Sequence, residues 1–441
     1  MNRRSGLSVT LVPEKLSRLA VWGGYALLLA LAPLLLHSSL SQSLLSQMGI
    51  AIIVCLSYNL LLGQGGMVSF GHAVYSGMGA FLAIHTLNRV SGGWPLPVSL
   101  IPLVGGLGSA LLAMALGWVT TRRAGTAFAM ITFGMGELVW AAALVLPGFF
   151  GGEGGVAGNR VAGSAALGLT FGPQIQLYYL IALYTFVCTG LMLALTRTPL
   201  GRMLNAVRDN PERVAFVGYN PQRVRYMVFV IAAFFAGIAG SLSALHYEMV
   251  SSEVFSGSRS AAYLLFTFVG GSTRFVGPII GAVLMVLAFG LLPGLTPAWL
   301  LYLGVIFVAM VMLAPGGAAA LGLAGWRRGQ QRAWRQQWPW HLAQLAAGLI
   351  AASAGVAWVE MTYRLQNLDM LGPVVWWLGM SLDARSPTSW MTTGGIGLLG
   401  AGLWLVSQRA LSRQNDLLAG VSSTGLDGDI AGDISVQKGW P

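Results

Sequence analysis

The sequence predicts an all-α fold, a polytopic bundle of membrane-spanning helices, and three observations carry that prediction. Hydrophobic residues make up 55% of the 441 and charged residues only 9%, against about 25% charged in soluble domains. The apolar residues gather into runs that reach the roughly 17–25 residues a helix needs to cross a bilayer. The arginines fall mainly in short loops between those runs, where they set orientation and meet anionic lipid. The net charge of +11 therefore speaks for a membrane surface and against nucleic acid.

Taken in order, the apolar runs lie at 20–36, 44–62, 68–87, 97–119, 126–146 and 177–196, then at 226–246, 255–272, 276–292, 298–314, 342–359 and 392–408. At about 20 residues per span they amount to about 10 core helices plus about 2 C-terminal ones. With Arg3, Arg4, Lys15 and Arg18 in the cytoplasm, alternate crossings bring the other basic clusters to the same side: Arg122 and Arg123, the loop 197–225, Arg274, then Arg327, Arg328, Arg332 and Arg335, then Arg409 and Arg413. That is the positive-inside pattern, with both termini expected in the cytoplasm. The first run is expected to be a retained helix, because its basic flank is long and no clear small-residue cleavage site follows it.

Four regions follow from these divisions: 1–43, an N-terminal segment with the first helix; 44–325, the core; 326–413, an extension with an interfacial segment and two helices; and 414–441, a tail rich in Gly, Ser and Asp that is expected to be disordered. In the extension Trp326, Trp334, Trp338 and Trp340 interleave with arginine and glutamine, the composition of an interfacial anchor. An external loop is expected around Tyr363, Arg364, Asp369, Asp383 and Arg385.

Within the core, residues 58–81 are studded with glycines, among them Gly65, Gly66, Gly71, Gly77 and Gly79, and carry Asn59, Gln64, Ser69 and His72. Inside a hydrophobic span such glycines let helix backbones approach closely, or break a helix where it lines a cavity. Asn59, Gln64, Ser69, Gly71 and His72 are therefore candidates for a solute path. His37, His85, His246 and His341 form no ligand pair with His72 in sequence, which favours a structural hydrogen bond over a metal site. Glu137 is the one carboxylate deep in an apolar run. Such a charge costs on the order of 2.5–3.5 kcal/mol at mid-membrane, so it either serves the path or hydrogen-bonds near a helix end. Cys55 and Cys188 lie in separate apolar runs without metal-ligand spacing and read as packing residues.

No enzyme signature is present. H-E-x-x-H, G-x-S-x-G and the P-loop pattern are missing, and the only lysines are Lys15 and Lys438, so the chain lacks a Walker lysine. It is expected to bind no cofactor or metal, and any ATP must be hydrolysed by another subunit.

The loop 197–225 is the second informative segment. Thr198 can cap a helix that has Pro199 at its first position, and Gly218 suits the far end. Pro211 is expected to divide the element into two short helices. Arg208 with Glu212 and Asp209 with Arg213 stand at i, i+4 spacing. The composition fits a helix lying on lipid and equally a helix that docks in a partner's groove.

Five segments in order resemble one family. They are Asn59–Phe81, Gly125–Glu137, Gly201–Gly240 with its Arg-Asp-Asn-Pro-Glu, Gly270–Gly-Ser-Thr-Arg-Phe-Val-Gly-Pro278, and the Met310–Gly317 ending. Together they resemble the LivM-type permeases of branched-chain amino-acid ABC importers. The resemblance implies a permease of the bacterial inner membrane that pairs with a LivH-like second permease, two cytoplasmic ATP-binding subunits and a periplasmic substrate-binding protein. It also implies that Gly201, Arg202, Arg208, Asp209, Glu212 and Gly218 belong to the element that couples to the ATPases. The alternatives are a secondary transporter or channel, disfavoured by the scarcity of membrane carboxylates, and a membrane-embedded enzyme, disfavoured by the absence of clustered catalytic groups.

Overall fold

The computed structural model describes residues 14–162, 170–314, 316–321, 332–368, 372–377 and 379–424. The fold is helical almost throughout, as the composition predicts, and it packs as two units. The first runs to Gly294 and resumes over Leu303–Leu321; the second comprises Leu295–Tyr302 and the chain from Arg332 onward.

The first unit begins with α1 (Glu14–Leu35), α2 (Ser39–Asn59) with a π-helical turn over Leu60–Gln64, α3 (His72–Ser91), α4 (Ile101–Thr120) and α5 (Thr126–Val145). The short α6 (Pro147–Phe150) leads through β1 (Val156–Ala157) to α7 (Gln174–Arg197), then α8 (Pro199–Asp209), α9 (Pro211–Phe216) and α10 (Pro221–Tyr247). After β2 (Met249–Val250) come α11 (Gly257–Gly270), α12 (Gly277–Leu295) and α13 (Trp299–Leu313). The two short strands pair antiparallel, Val156 opposite Val250.

Among the described residues eight helices are long and apolar enough to cross a membrane, and Ala20–Leu35 and Trp299–Met312 are shorter apolar ones. The runs at 68–87 and 255–272 differ from the sequence reading. The first becomes α3 only from His72 onward, because Met67–Gly71 are not helical. The second yields α11, 14 residues long, about two-thirds of the length that spans a bilayer at 1.5 Å per residue. α3 starts inside the protein, where protein groups surround its first turn, whereas in the first turn of α11 only Ser260 is buried.

The most enclosed spans are the α2 segment and α10, and glycine and serine set how closely their neighbours approach. A Cβ on Gly79 would overlap the backbone of Gly237, and one on Gly240 would overlap the Ser76 carbonyl. Ser109 on α4 donates to the Tyr75 carbonyl of α3 at 2.7 Å, and Ser241 on α10 donates to the Gly79 carbonyl at 3.0 Å. Small residues at the contact and hydroxyls bonded across it are the means by which helices associate where lipid supplies no hydrophobic drive. Cys55 and Cys188 are free and buried, as packing residues.

The far end of α10 is closed by an arginine from the loop before α7. Glu248 turns left-handed at φ 56°, and Arg160 donates to the Leu245 and His246 carbonyls at 3.2 and 3.3 Å and to Phe171 and Gly172 at 2.9 and 3.2 Å. A guanidinium suits the partial negative charge of a helix C-terminus.

In the second unit α14 (Arg332–Gln366) and α15 (Pro387–Thr424) pack as a hairpin, with Gly400 against the backbone of Ala347 and Ala351. Between them β3 (Val374–Trp377) and β4 (Met380–Asp383) form a β-hairpin whose Val375, Trp377 and Leu382 pack on Ala357 and Met361. The expected external loop is thus ordered structure: Tyr363 and Arg364 continue α14, and Asp383 ends β4. The last helix runs to Thr424, past the boundary at 414 drawn for a disordered tail. Trp326, Arg327, Arg328, Asp369 and residues 425–441 lie outside the described residues, as do the side chains of Trp334 and Trp338, while Trp340 is exposed.

Gly240→Val should destabilise the bundle by about 3 kcal/mol or more, since its added atoms meet backbone rather than a movable side chain. Gly134→Ala, with open space around it, should change stability by under about 0.5 kcal/mol. Thermal unfolding in detergent, read by a thiol-reactive dye on the buried cysteines, checks both.

Candidate functional site

Two places gather the candidate residues, and the first is the joint between α2 and α3. The π-helical turn ends at Gly65, Gly66 takes φ 63°, and the Met67 N–H closes on the Leu61 carbonyl at 2.9 Å. The chain then runs without helical bonds to Gly71. Its backbone groups are held by side chains: the Tyr58 hydroxyl donates to the Ser69 carbonyl at 2.8 Å and accepts from the Ser69 N–H at 3.1 Å. Thr132 Oγ1 on α5 accepts from Phe70 N–H at 3.2 Å, and Ser260 Oγ on α11 accepts from Ala73 N–H at 3.0 Å. A buried N–H or carbonyl left unpaired would cost about 1–3 kcal/mol, so these hydroxyls are what permit the helix to break there.

Of the path candidates, Asn59, Ser69, Gly71 and His72 are buried at this joint. His72 Nε2 lies 2.9 Å from Ser57 Oγ, and that hydroxyl donates to the Val54 carbonyl at 2.8 Å. Nε2 therefore carries the hydrogen, which is the structural hydrogen bond the sequence favoured. Gly71 leaves no room for a Cβ beside the Thr132 carbonyl. Asn59 Oδ1, Ser69 Oγ and His72 Nδ1 are buried and make no hydrogen bond among the described residues. None of these residues lines the apolar hollow formed by Ala110, Leu191, Leu195, Val230 and Phe234.

Glu137 sits apart from that group, half-buried on α5. Its Oε1 lies against the first turn of α11, where a Cβ on Gly257 would stand 3.0 Å away. Phe133, one turn earlier, meets Phe70 edge-on at 6.5 Å. The carboxylate thus borders the joint without entering it.

The second place is α8–α9. Thr198 caps α8 by accepting from the Gly201 N–H at 3.3 Å, with Pro199 in the first turn, and Gly218 turns at φ 93° after α9. Division at Pro211 holds as expected. The i, i+4 ion pairs do not form: Asn210 leaves the helical region at φ −157° and caps α9 by accepting from Arg213 N–H at 3.0 Å, so 208 and 212 sit on different helices. Arg208 pairs instead with its neighbour Asp209 at 3.0 Å. It also donates to the Gly63 carbonyl at 2.6 Å, and Asn205 donates to Gln64 Oε1 at 3.0 Å. Gln64 thus belongs with the α8 contact rather than with the buried path group.

Arg202 and Glu212 are exposed, and so are three apolar residues the sequence reading passed over. Phe216 is 90% exposed, Val217 75% and Tyr219 53%. Two apolar residues directly before a turn-forming glycine in a charged loop were the available signal. No group of three or more His, Cys, Asp or Glu able to hold a metal occurs among the described residues.

Residues 41–315 match the family described as branched-chain amino acid transport system / permease component. The chain is similar to the high-affinity branched-chain amino acid transport system permease protein LivM of Salmonella typhimurium, 30% identical over 291 residues, which are 61% of this chain and 67% of that protein. Similarity to LivM of Escherichia coli is 29% over 292 residues, with the same shares. The fructose import permease protein FruF of Bifidobacterium longum is 30% identical over 173 residues, 36% of this chain and 47% of that one. No solved structure matches the chain significantly.

Replacing Tyr58 with Phe strands the Ser69 N–H and carbonyl, and should lower stability by about 1–3 kcal/mol. Tyr219→Phe, at an exposed hydroxyl, should leave the melting temperature unchanged in the same detergent assay.

Proposed function

The chain belongs to the family of permease components of branched-chain amino acid transport systems and is a transmembrane subunit of an ABC importer, and from that premise we propose that it carries branched-chain or other amino acids, driven through α8–α9. The observation that carries the coupling part is the surface of α8–α9: a short amphipathic pair with buried Leu204, Val207 and Val214, charged Arg202, Glu212 and Arg213, and the exposed apolar tip at Phe216 and Val217. A helix of mixed charge with an apolar edge fits a groove on a partner. Proposed partners are a LivH-like second permease, two cytoplasmic ATP-binding subunits that hydrolyse ATP, for which this chain has no P-loop lysine, and a periplasmic substrate-binding protein. The proposed setting is the bacterial inner membrane with both termini in the cytoplasm, supported by the arginine pattern.

Closure of the ATPase pair on ATP would press α8–α9 and exchange inward-open and outward-open arrangements, biased only by the difference in ATP's interaction with the two. Glu137, beside the inner start of α11, is the proposed contact for a solute's positive group, where a carboxylate in low dielectric gains most from a cation. Sugar as cargo draws on the FruF similarity, which covers a smaller share of the chain than the LivM ones do.

The test is to tag the chain in its native membrane, purify it in mild detergent and identify its companions by mass spectrometry. A Walker-motif ATPase and a second permease are expected; reproducible isolation alone would overturn the coupling reading. Phe216→Ala should reduce ATPase recovery at least tenfold. In proteoliposomes of the full importer, Glu137→Gln should slow labelled leucine uptake by about tenfold, the order of one lost charged contact; unaltered uptake returns Glu137 to a packing role.

A further inference from the structure

We propose that Arg208 is a positioning residue that ties α8 to the unwound joint between α2 and α3, so that displacement of the docking element is delivered to residues 60–71. The inference rests on reading α8–α9 as the docking element and names where its motion goes.

α8 is held differently at its two ends. At the start, Thr198 caps it directly after α7, and Gly201 packs without room for a Cβ on the Leu195 carbonyl in the last turn of α7. That end is fixed to α7. At the other end the bonds leave α7 and grip the end of α2. Arg208 donates to the Gly63 carbonyl at 2.6 Å, and Asn205, three residues earlier on the same face, donates to Gln64 at 3.0 Å. Two successive residues of the π-helical turn that continues α2 are thus held by one face of α8, and the charged donor sits on a helix C-terminus, where it is most favoured.

The joint is built to receive the arginine stem. Gly66 stands in the left-handed region at φ 63°, and a Cβ on it would come 2.8 Å from Arg208 Cγ. Any larger residue would be strained and would also push the stem away. Asp209, 67% exposed, holds the guanidinium from the solvent side at 3.0 Å. The gripped segment is a π-helical turn, a form frequent at functional sites.

Beyond the grip, the joint leads inward to two other helices and to the turn after one of them. Gly63 packs against the Ser272 carbonyl in the turn between α11 and α12. Phe70 N–H bonds Thr132 on α5, and Ala73 N–H bonds Ser260 on α11. A shift of α8 about its fixed end therefore moves Gly63 and Gln64, and with them the first turn of α3 and its contacts to α5 and α11, which flank Glu137.

Hydrogen–deuterium exchange on the full chain in lipid nanodiscs tests the latch, alone and with its copurified ATPase. On the chain alone, Arg208→Ala should raise exchange of the amides in 60–67 about tenfold or more, with Arg208→Lys restoring part of the protection and the α10 amides unmoved. With the ATPase bound, ATP and vanadate should change exchange at 60–67 in the wild type. That response should vanish in Gly66→Ala, which leaves the α8–α9 sequence intact and the ATPase attached. Unchanged exchange at 60–67 in Arg208→Ala, or a normal nucleotide response in Gly66→Ala, overturns the latch. A wild-type chain that retains no ATPase sinks the docking reading instead, and the latch then stands or falls on the measurement without ATPase.

Discussion

In a hydrocarbon environment every backbone N–H and carbonyl needs a partner inside the protein, and the rest of this fold is organised around the places where helices cannot supply one. Three such places among the described residues carry the argument. At the joint after α2, Tyr58, Thr132 and Ser260 pair the unwound backbone. At the end of the π-helical turn Arg208 takes the Gly63 carbonyl, and at the end of α10 Arg160 takes Leu245 and His246. The two arginines act alike: each terminates one of the most enclosed helices with a group whose charge complements the helix dipole. Each is also sent from outside the helix it closes, Arg208 from α8 and Arg160 from the loop before α7, so these segments are fastened to the core by the same bonds that complete it.

This distribution separates stiff from yielding parts. Where α3, α4 and α10 meet, glycines bring backbone against backbone and serines bond across the contact, and close-packed contacts of that kind move together. The joint at Met67–Gly71 has no helical ladder of its own and depends on four hydrogen bonds from side chains that belong to α2, α5 and α11. Breaking one of these costs far less than shifting a glycine contact. A force arriving at Gly63 is accordingly met by a segment held through side chains rather than by a helical ladder.

The apolar runs and the arginine spacing made the class, the order of the helices and the α8–α9 break legible, because bilayer thickness, the positive-inside rule and proline geometry are local constraints. The starts of α3 and α11 were not legible in this way. A run buried among other helices can satisfy an exposed N–H with a hydroxyl distant in sequence, as Ala73 does with Ser260, so its apolar residues do not mark where helix begins. The ion pairs inferred from i, i+4 spacing failed for a local reason that was present in the sequence: Asn210 before Pro211 is a strong cap, and a cap ends the helix that the spacing assumed. The role of Arg160 at the end of α10 had no local signal, since Leu245 and His246 lie in the fourth helix after it. The β3–β4 hairpin did have one, Val375, Trp377 and Leu382 alternating about Gly379 at φ 84°, hidden by its position between two long apolar runs.

Glu137 remains the group whose energetics the chain alone does not balance. Its carboxylate makes no hydrogen bond or ion pair among the described residues, and it lies within a helix apolar enough to span the bilayer. At mid-membrane the charge would cost on the order of 2.5–3.5 kcal/mol. The nearby start of α11 offsets part of this, since a helix N-terminus contributes about 0.3–1 kcal/mol toward a nearby anion, and up to about 2 kcal/mol in a partly buried setting. Water, a second subunit or a solute can supply a donor that offsets the remainder. A half-buried carboxylate open to such a donor, bordering a joint that α8 grips, is placed where a change in the joint would alter what it meets.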